Sequence, residues 1–213
     1  FAGYAAVFAE FFRKPHLATM LAFLLLYRFA ESQLVKLLSP FLLDARADGG
    51  LGLSTQTVGL VYGTLGIAAL TIGGIAGGLA IARWGLRRML WPMALAINAP
   101  NLAYVLLAWT QPENVALVGA AIVVEQLGYG FGFAAYLVYM MMVAAGPHQT
   151  AHYALCTGFM ALGMMLPGMP AGWLQEQLGY DWFFVWVGVA TLPSFVATAC
   201  LKVDPAFGRK SAA

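Results

Sequence analysis

Apolar residues along this chain come in long unbroken stretches, and the polar, Gly-rich and charged positions gather in the short segments between them. A helix rising 1.5 Å per residue crosses roughly 30 Å of hydrocarbon in about 20 residues. Stretches 17–43, 57–82, 89–110, 115–145, 150–173 and 182–201 meet that length. They are continuous and do not alternate in the roughly ten-residue segments of an outer-membrane barrel. The pattern therefore predicts an all-α membrane protein with six transmembrane helices. No linker, low-complexity tract or soluble domain interrupts it.

Composition agrees: the chain is 62% hydrophobic and 9% charged, where soluble domains carry about 45–50% and about 25%. A net charge of +2 is too small and too dispersed for nucleic acid, so the position of each charge is what matters. With the N-terminus inside, the inside segments hold Arg13, Lys14, Arg83, Arg87, Arg88, Lys202, Arg209 and Lys210, and the outside loops hold only Arg46. Cytoplasmic loops retain Lys and Arg, so both termini are expected in the cytoplasm. The chain opens on Phe1 without a basic-then-apolar leader, and a longer upstream sequence is expected. Cys156 and Cys200 lie in separate apolar runs and suggest neither a disulfide framework nor a zinc site.

Ahead of the first span, "AVFAEFFRK" sets Phe8, Phe11 and Phe12 beside Glu10, Arg13 and Lys14. Two readings stand: a short helix lying at the membrane interface, and the frayed start of the first span. Gly59/Gly63, Gly73/Gly77, Gly74/Gly78 and Gly128/Gly132 are each four apart, a spacing that lets helix backbones approach closely.

Charges inside the spans stand out against this background. An Arg, Lys or Asp at the centre of a membrane helix costs about 2.5–3.5 kcal/mol on insertion scales, so such groups need partners or a wet cavity. Arg28, Glu31 and Lys36 share the first span, and Glu125 lies in the fourth, followed by Gln126. At about 100° per residue, Arg28, Ser32 and Lys36 fall in one arc with Glu31 close by, which predicts one polar face. Counted from the outer helix ends, Glu31, Glu125 and Asn98 all lie about 15–18 Å deep, a single layer near the midplane. The fourth span aligns Glu125, Gly128, Tyr129, Gly132 and Tyr136 on one face, suited to lining a cavity.

A structural reading stands beside each of these. Arg28 and Glu31 are also spaced for an ion pair that only holds helices together, Lys36 for snorkelling outward, and Glu125 with Gln126 for a purely structural bond. Asn98 and Asn101 flank Pro100, where a broken backbone ladder needs amide partners, so they read as structural. His148 and His152, four apart at a helix start, form a chelating pair only formally; no metal and no cofactor are expected. A glycine-rich phosphate loop, G-x-S-x-G and H-E-x-x-H are all missing, so transport is favoured over enzymatic activity. The rival of another class is a structural or regulatory membrane subunit.

The inside loop "GGLAIARWGLRRML" resembles the signature of the major facilitator superfamily, roughly G-x-x-x-D-R-x-G-R-R, through Gly78, Arg83, Gly85, Arg87 and Arg88. Ala82 stands where the motif has its Asp. Further stretches resemble the AmpG-like permeases, which carry muropeptides into the cytoplasm. "YRFAES" is similar to their first-span start at Tyr27, Arg28 and Glu31, with Ala30 for Gly. "VEQLGYGFGFAAY" is similar to their fourth-helix Glu-Asn pattern through Glu125, Gly130 and Gly132, with Gln126 for Asn. The run from Thr150 to Phe184 is similar to a further segment of theirs, with Pro167 and Gly168 in inverted order.

The resemblance covers about residues 17–202 and fits the C-terminal six-helix half of a twelve-helix carrier, with 1–16 a cytoplasmic or interfacial linker and 203–213 a cytoplasmic tail. It implies that the first and fourth helices line the cavity, that the second and fifth face a missing N-terminal half, and that the third and sixth lie outside. It further implies a proton-coupled symporter of the bacterial inner membrane that imports a muropeptide-like or sugar-containing solute, with a sugar or oligosaccharide carrier as the alternative. Solute binding is assigned to Arg28, Lys36, Gln126, Tyr129 and Tyr136, and proton coupling to Glu31 and Glu125. Gly78, Arg83, Gly85, Arg87 and Arg88 form the switch motif, and Pro167, Gly168 and Pro170 a gating bend. Arg28, Lys36, Glu31 and Glu125 sum to zero when ionised, so one proton is expected to leave the site cationic.

Overall fold

The computed structural model describes residues 2–209; Phe1 and residues 210–213, with Lys210 of the basic tail, lie outside the described residues. All regular structure among the described residues is helical. In chain order it comprises α1 (Ala2–Phe12), α2 (Leu17–Leu26), α3 (Phe29–Leu43), α4 (Thr55–Val58), a π-helical stretch Gly59–Gly66, α5 (Ile67–Trp84), α6 (Leu86–Asn98), α7 (Leu102–Thr110), α8 (Val115–Ala144), α9 (Gln149–Gly168), α10 (Ala171–Val189) and α11 (Leu192–Cys200). Short 3-10 turns cover Arg46–Asp48 and Ala99–Asn101. Thr55–Trp84, Leu86–Thr110, Val115–Ala144 and Ala171–Cys200 are long and apolar enough to cross a membrane.

The remaining expected spans differ in detail. Stretch 17–43 is not one helix: it breaks at Tyr27 and Arg28, where Arg28 takes φ −110° and ψ 22°. The fifth stretch is α9, which ends at Gly168; the chain then turns through Met169 and Pro170 into α10. Gly179 inside α10 has φ 70° and ψ 170°, a conformation that needs glycine, so the expected sixth span starts beyond a kink. Ala2–Phe12 is a helix of its own, not the frayed start of the first span. Phe11 buries its ring against Phe159 and His152 of α9, and Phe8 and Phe12 stay exposed.

Glycine sets the closest helix pairing, α5 with α8. A Cβ at Gly73 would strike the Leu127 carbonyl, one at Gly77 would lie 2.7 Å from Phe131 O, and one at Gly130 would strike Leu70 O. On the other side of α8, Gly128 and Gly132 admit the backbone of α6 at Ala96 and Met93. The expected pair Gly59/Gly63 behaves otherwise: a Cβ there, or at Gly78, would meet nothing within 4 Å. Among the described residues, space is open beside all three positions, and Gly63 borders a cavity.

Two apolar clusters fill the bundle, one above the other. The first joins Phe11, Phe23, Tyr27, Met93, Tyr136 and Tyr139; the second joins Phe41, Leu42, Tyr104, Phe183, Phe184 and Val187. Aromatic contacts tighten both, with Phe23 and Tyr27 centroids 4.6 Å apart and Phe41 and Phe184 4.7 Å apart, each worth about 0.5–1.5 kcal/mol beyond burial. Four segments cross from one cluster to the other at polar positions: Arg28 and Glu31, Asn98 and Asn101, Glu125 and Gln126, Thr191 and Ser194. Asn98 Nδ2 donates to Ala94 O at 2.9 Å and to Ser194 Oγ at 3.1 Å, the amide support expected beside Pro100.

Hydrogen bonds close both ends. At one end Arg46 donates to Gln111 O (2.6 Å) and Pro112 O (3.1 Å), and Tyr180 donates to Asp44 Oδ2 at 2.6 Å. At the other, Lys14 Nζ donates to Val143 O at 2.7 Å, and the Leu86 N–H donates to Phe207 O at 3.1 Å.

Candidate functional site

The break at Tyr27 and Arg28 places the charges. Tyr27 anchors it by donating its hydroxyl to Gly132 O at 3.0 Å. Arg28, freed from the helix, swings toward α8 and donates through Nη2 to the Tyr129 hydroxyl. The same nitrogen lies 3.7 Å from Glu31 Oε1, and the guanidinium sits over the rings of Phe133 (4.6 Å to the centroid) and Tyr129 (5.2 Å). Its Nε is buried and has no hydrogen-bond partner among the described residues.

Glu125 lies across the cavity, 4% exposed. Its Oε2 accepts from the Tyr104 hydroxyl at 3.2 Å and from Gln126 Nε2 at 3.1 Å. Arg28, Glu31, Tyr62, Glu125, Gln126 and Tyr129 together line a cavity of about 240 Å³ walled by Leu34, Leu38, Ile67 and Leu70. That is below the roughly 300–1,000 Å³ of pockets that enclose an organic ligand. A space of this size admits a small polar group, not the whole of a large molecule.

Two of the assigned solute-binding residues are not in this cavity. Lys36 is exposed and lines a separate groove with Pro40, Met165 and Gly168. The predicted single polar face of Arg28, Ser32 and Lys36 is in fact two: Arg28 and Glu31 turn to α8, while Ser32 and Lys36 turn to α9. There a Cβ at Gly168 would lie 2.8 Å from Ser32 O and 3.5 Å from Lys36 Cε. Tyr136 is fully buried and donates to Leu24 O at 2.6 Å, so it braces α2 against α8. The charge balance changes accordingly. Without Lys36 the cavity carries one cation and two carboxylates, −1 when all are ionised, and a single proton brings it to neutrality, not to a positive charge.

Tyr62 and Tyr104 were not anticipated. Tyr62 reaches the cavity from the π-helical stretch, and Tyr104 stands behind Glu125 on α7. The signal for Tyr104 lay in the sequence: a buried tyrosine in an apolar span needs an acceptor for its hydroxyl.

The motif loop forms a tight corner between α5 and α6. Gly85 turns it with φ 83° and ψ 154°, and Arg83, Arg87 and Arg88 are exposed, Arg83 stacking on Trp84. Pro167 lies in the last turn of α9, Gly168 ends that helix, and Pro170 caps α10. Although no carboxylate adjoins the two histidines in sequence, α1 brings Glu10 within 3.6 Å of His148. Among the described residues no group of three or more metal-ligating side chains forms.

No protein-family model matches the chain. It is similar to the "Anhydromuropeptide permease" of Escherichia coli K12, 28% identical over 187 residues that make up 88% of this chain and 37% of that protein. It is also similar to the "Putative transporter AmpG 2" of Rickettsia typhi, 22% identical over 191 residues, 90% of this chain and 45% of the relative. An "Uncharacterized protein" of Haemophilus influenzae is 24% identical over 207 residues, 47% of its length. The chain thus spans less than half the length of each of these relatives. The resemblance to AmpG-like permeases therefore extends over nearly the whole chain. The first two relatives are named as a permease and a transporter, and this chain carries helices of membrane-crossing length.

Proposed function

We propose that this chain is one six-helix half of a proton-coupled symporter in the bacterial inner membrane, with both termini cytoplasmic, and that it imports a muropeptide-like or sugar-containing solute. The observation that carries the reading is the cavity itself: Arg28, Glu31 and Glu125 meet near mid-bundle, walled by apolar side chains, at a depth where unpaired charge is costly. A purely structural ion pair would have its donors filled, whereas Arg28 keeps a buried Nε–H without a partner. That donor is sealed from solvent in this conformation, and in this reading a shift of its neighbours opens it to a carboxylate or hydroxyl of the solute.

Glu31 and Glu125 are the proton carriers in this reading, since a carboxylate in a partly dry cavity can load a proton from one side and release it to the other. Arg28 holds Glu31, and Tyr104 with Gln126 holds Glu125, so the two acids sit in different settings. Loading both protons turns the cavity from −1 to +1, the state best matched to an anionic solute.

The missing partner half is supported by two observations. The chain spans 37% of the length of a relative named anhydromuropeptide permease. The second span also leaves Gly59, Gly63 and Gly78 facing open space, as does the fifth at Gly158, surfaces on which another helix backbone can lie closely. A half-cavity of about 240 Å³ then grows to hold a larger solute once the second half is in place. The bend through Pro167, Gly168 and Pro170 is assigned to gating.

The test is uptake of labelled anhydromuropeptide, beside a labelled disaccharide, by cells expressing the full-length protein with and without a proton uncoupler. Uncoupler-sensitive uptake of either solute is the expected result. Absence of uptake of both, with the protein verified in the membrane, overturns the assignment of solute class.

A further inference from the structure

A second cavity, of about 270 Å³, lies at the end of the bundle opposite the Arg46 clamp, where α2 begins and α8 and α11 end. Lys14, His16 and Lys202 line it, and no Asp or Glu does. Lys14 is tied to the backbone at Val143 and Ala145, contacts that seat its N–H groups on the carbonyl end of α8. They leave the ammonium without a carboxylate partner among the described residues. Lys14 is thus fixed beside one small space, and the exposed Lys202 from another part of the chain borders it, with no carboxylate in the lining among the described residues.

A neutral donor faces the same space. Tyr139 is 3% exposed and lines the cavity, its ring fixed 4.7 Å from that of Phe23, and its hydroxyl is not sealed among protein atoms but open to that space. The three donors come from the segment before α2, from α8 and from the chain after α11. A carboxylate offers two oxygens to such a set and a phosphate offers at least three. The walls beside them, Met20, Met142 and Val143, suit a phosphate that carries an organic body.

We propose that this cavity binds a phosphate anion that staples the start of α2 to the ends of α8 and α11. The same chemistry is presented by an anionic phospholipid headgroup and by a water-soluble phosphate. Lysines at the end of a membrane bundle are placed to meet the former. The site stands whichever solute the carrier takes.

The test uses the full-length protein purified in detergent and stripped of lipid, with its melting temperature followed during titration with phosphatidylglycerol, phosphatidylcholine or inorganic phosphate. The expected result is stabilisation by phosphatidylglycerol beyond that by phosphatidylcholine, with apparent affinity reduced about tenfold or more in Lys202→Gln and in Tyr139→Phe. Tyr139→Phe keeps the ring packing and removes only the hydroxyl, which separates binding from folding. Stabilisation by inorganic phosphate alone, lost in the same variants, assigns the site to a soluble phosphate. Stabilisation that is equal in the native protein and both variants, or that does not exceed the phosphatidylcholine control, overturns the proposal.

Discussion

The Tyr104 hydroxyl donates to Glu125 Oε2 across 3.2 Å from α7, a helix none of whose residues lines the cavity. The bond fixes one oxygen of a buried carboxylate from behind and leaves its front to the cavity. Tyr104→Phe keeps the ring, which stacks on Phe184 at 5.6 Å, and deletes only this donor. A bond of this kind contributes about 0.5–1.5 kcal/mol net, so uptake at fixed pH is expected to fall about 2- to 10-fold with normal membrane insertion. The pH profile of uptake is expected to move as well, which a packing defect alone would not cause.

Glu31→Gln and Glu125→Gln each remove one titrating group and keep the side-chain volume. In the intact carrier both are expected to reduce proton-driven uptake strongly. If the two variants accumulate solute like the native protein under the same proton gradient, neither acid couples transport.

Arg28→Lys preserves charge but replaces a planar fork with a point charge. The fork reaches Tyr129 and Glu31 while lying over Phe133, and an ammonium cannot do all three. Uptake is expected to drop by about tenfold or more. Native rates in this variant would mean that only the charge matters.

Gly130→Val tests the packing of α5 on α8. Its side chain would meet Leu70 O and Gly74 N, and overpacking of this kind costs about 1–3 kcal/mol or more. Lower thermal stability of the purified protein is expected, read by the fraction remaining monodisperse after heating. An unchanged profile would show that the two helices separate easily.

Tyr180→Phe probes the opposite clamp. It removes the donor to Asp44 and keeps the ring against Phe41, 5.1 Å away. A stability loss of about 0.5–1.5 kcal/mol with unchanged solute affinity is the expected outcome. A changed affinity would place this clamp in the transport path.

Much of this arrangement was legible because membrane helices announce themselves by length, and because glycines four apart mark close backbones. Gly73, Gly77, Gly128 and Gly132 do what their spacing implied. The polar layer was legible too, since Arg28, Glu31 and Glu125 have few ways to avoid hydrocarbon. The break at Tyr27 and Arg28 was not, because neither Pro nor Gly marks it. It is held by tertiary bonds, Tyr27 to Gly132 and Arg28 to Tyr129, that no local pattern encodes. A helical wheel drawn through that break put Lys36 on the wrong neighbour. Tyr136 does not line that cavity either: its hydroxyl reaches a carbonyl, Leu24 O, and Gly128 and Gly132 of the same expected face pack on α6.

The eight residues Gly59–Gly66 wind as a π-helix, and this has a mechanical meaning for Tyr62 and Gly63 in the cavity wall. A wider winding takes more residues to complete each turn than the α-helix that follows. Rewinding it toward α geometry would turn Tyr62 about the axis relative to Ile67, with no bending and no unfolding of the span. Such a change in winding would withdraw one phenol from the cavity wall or present it there.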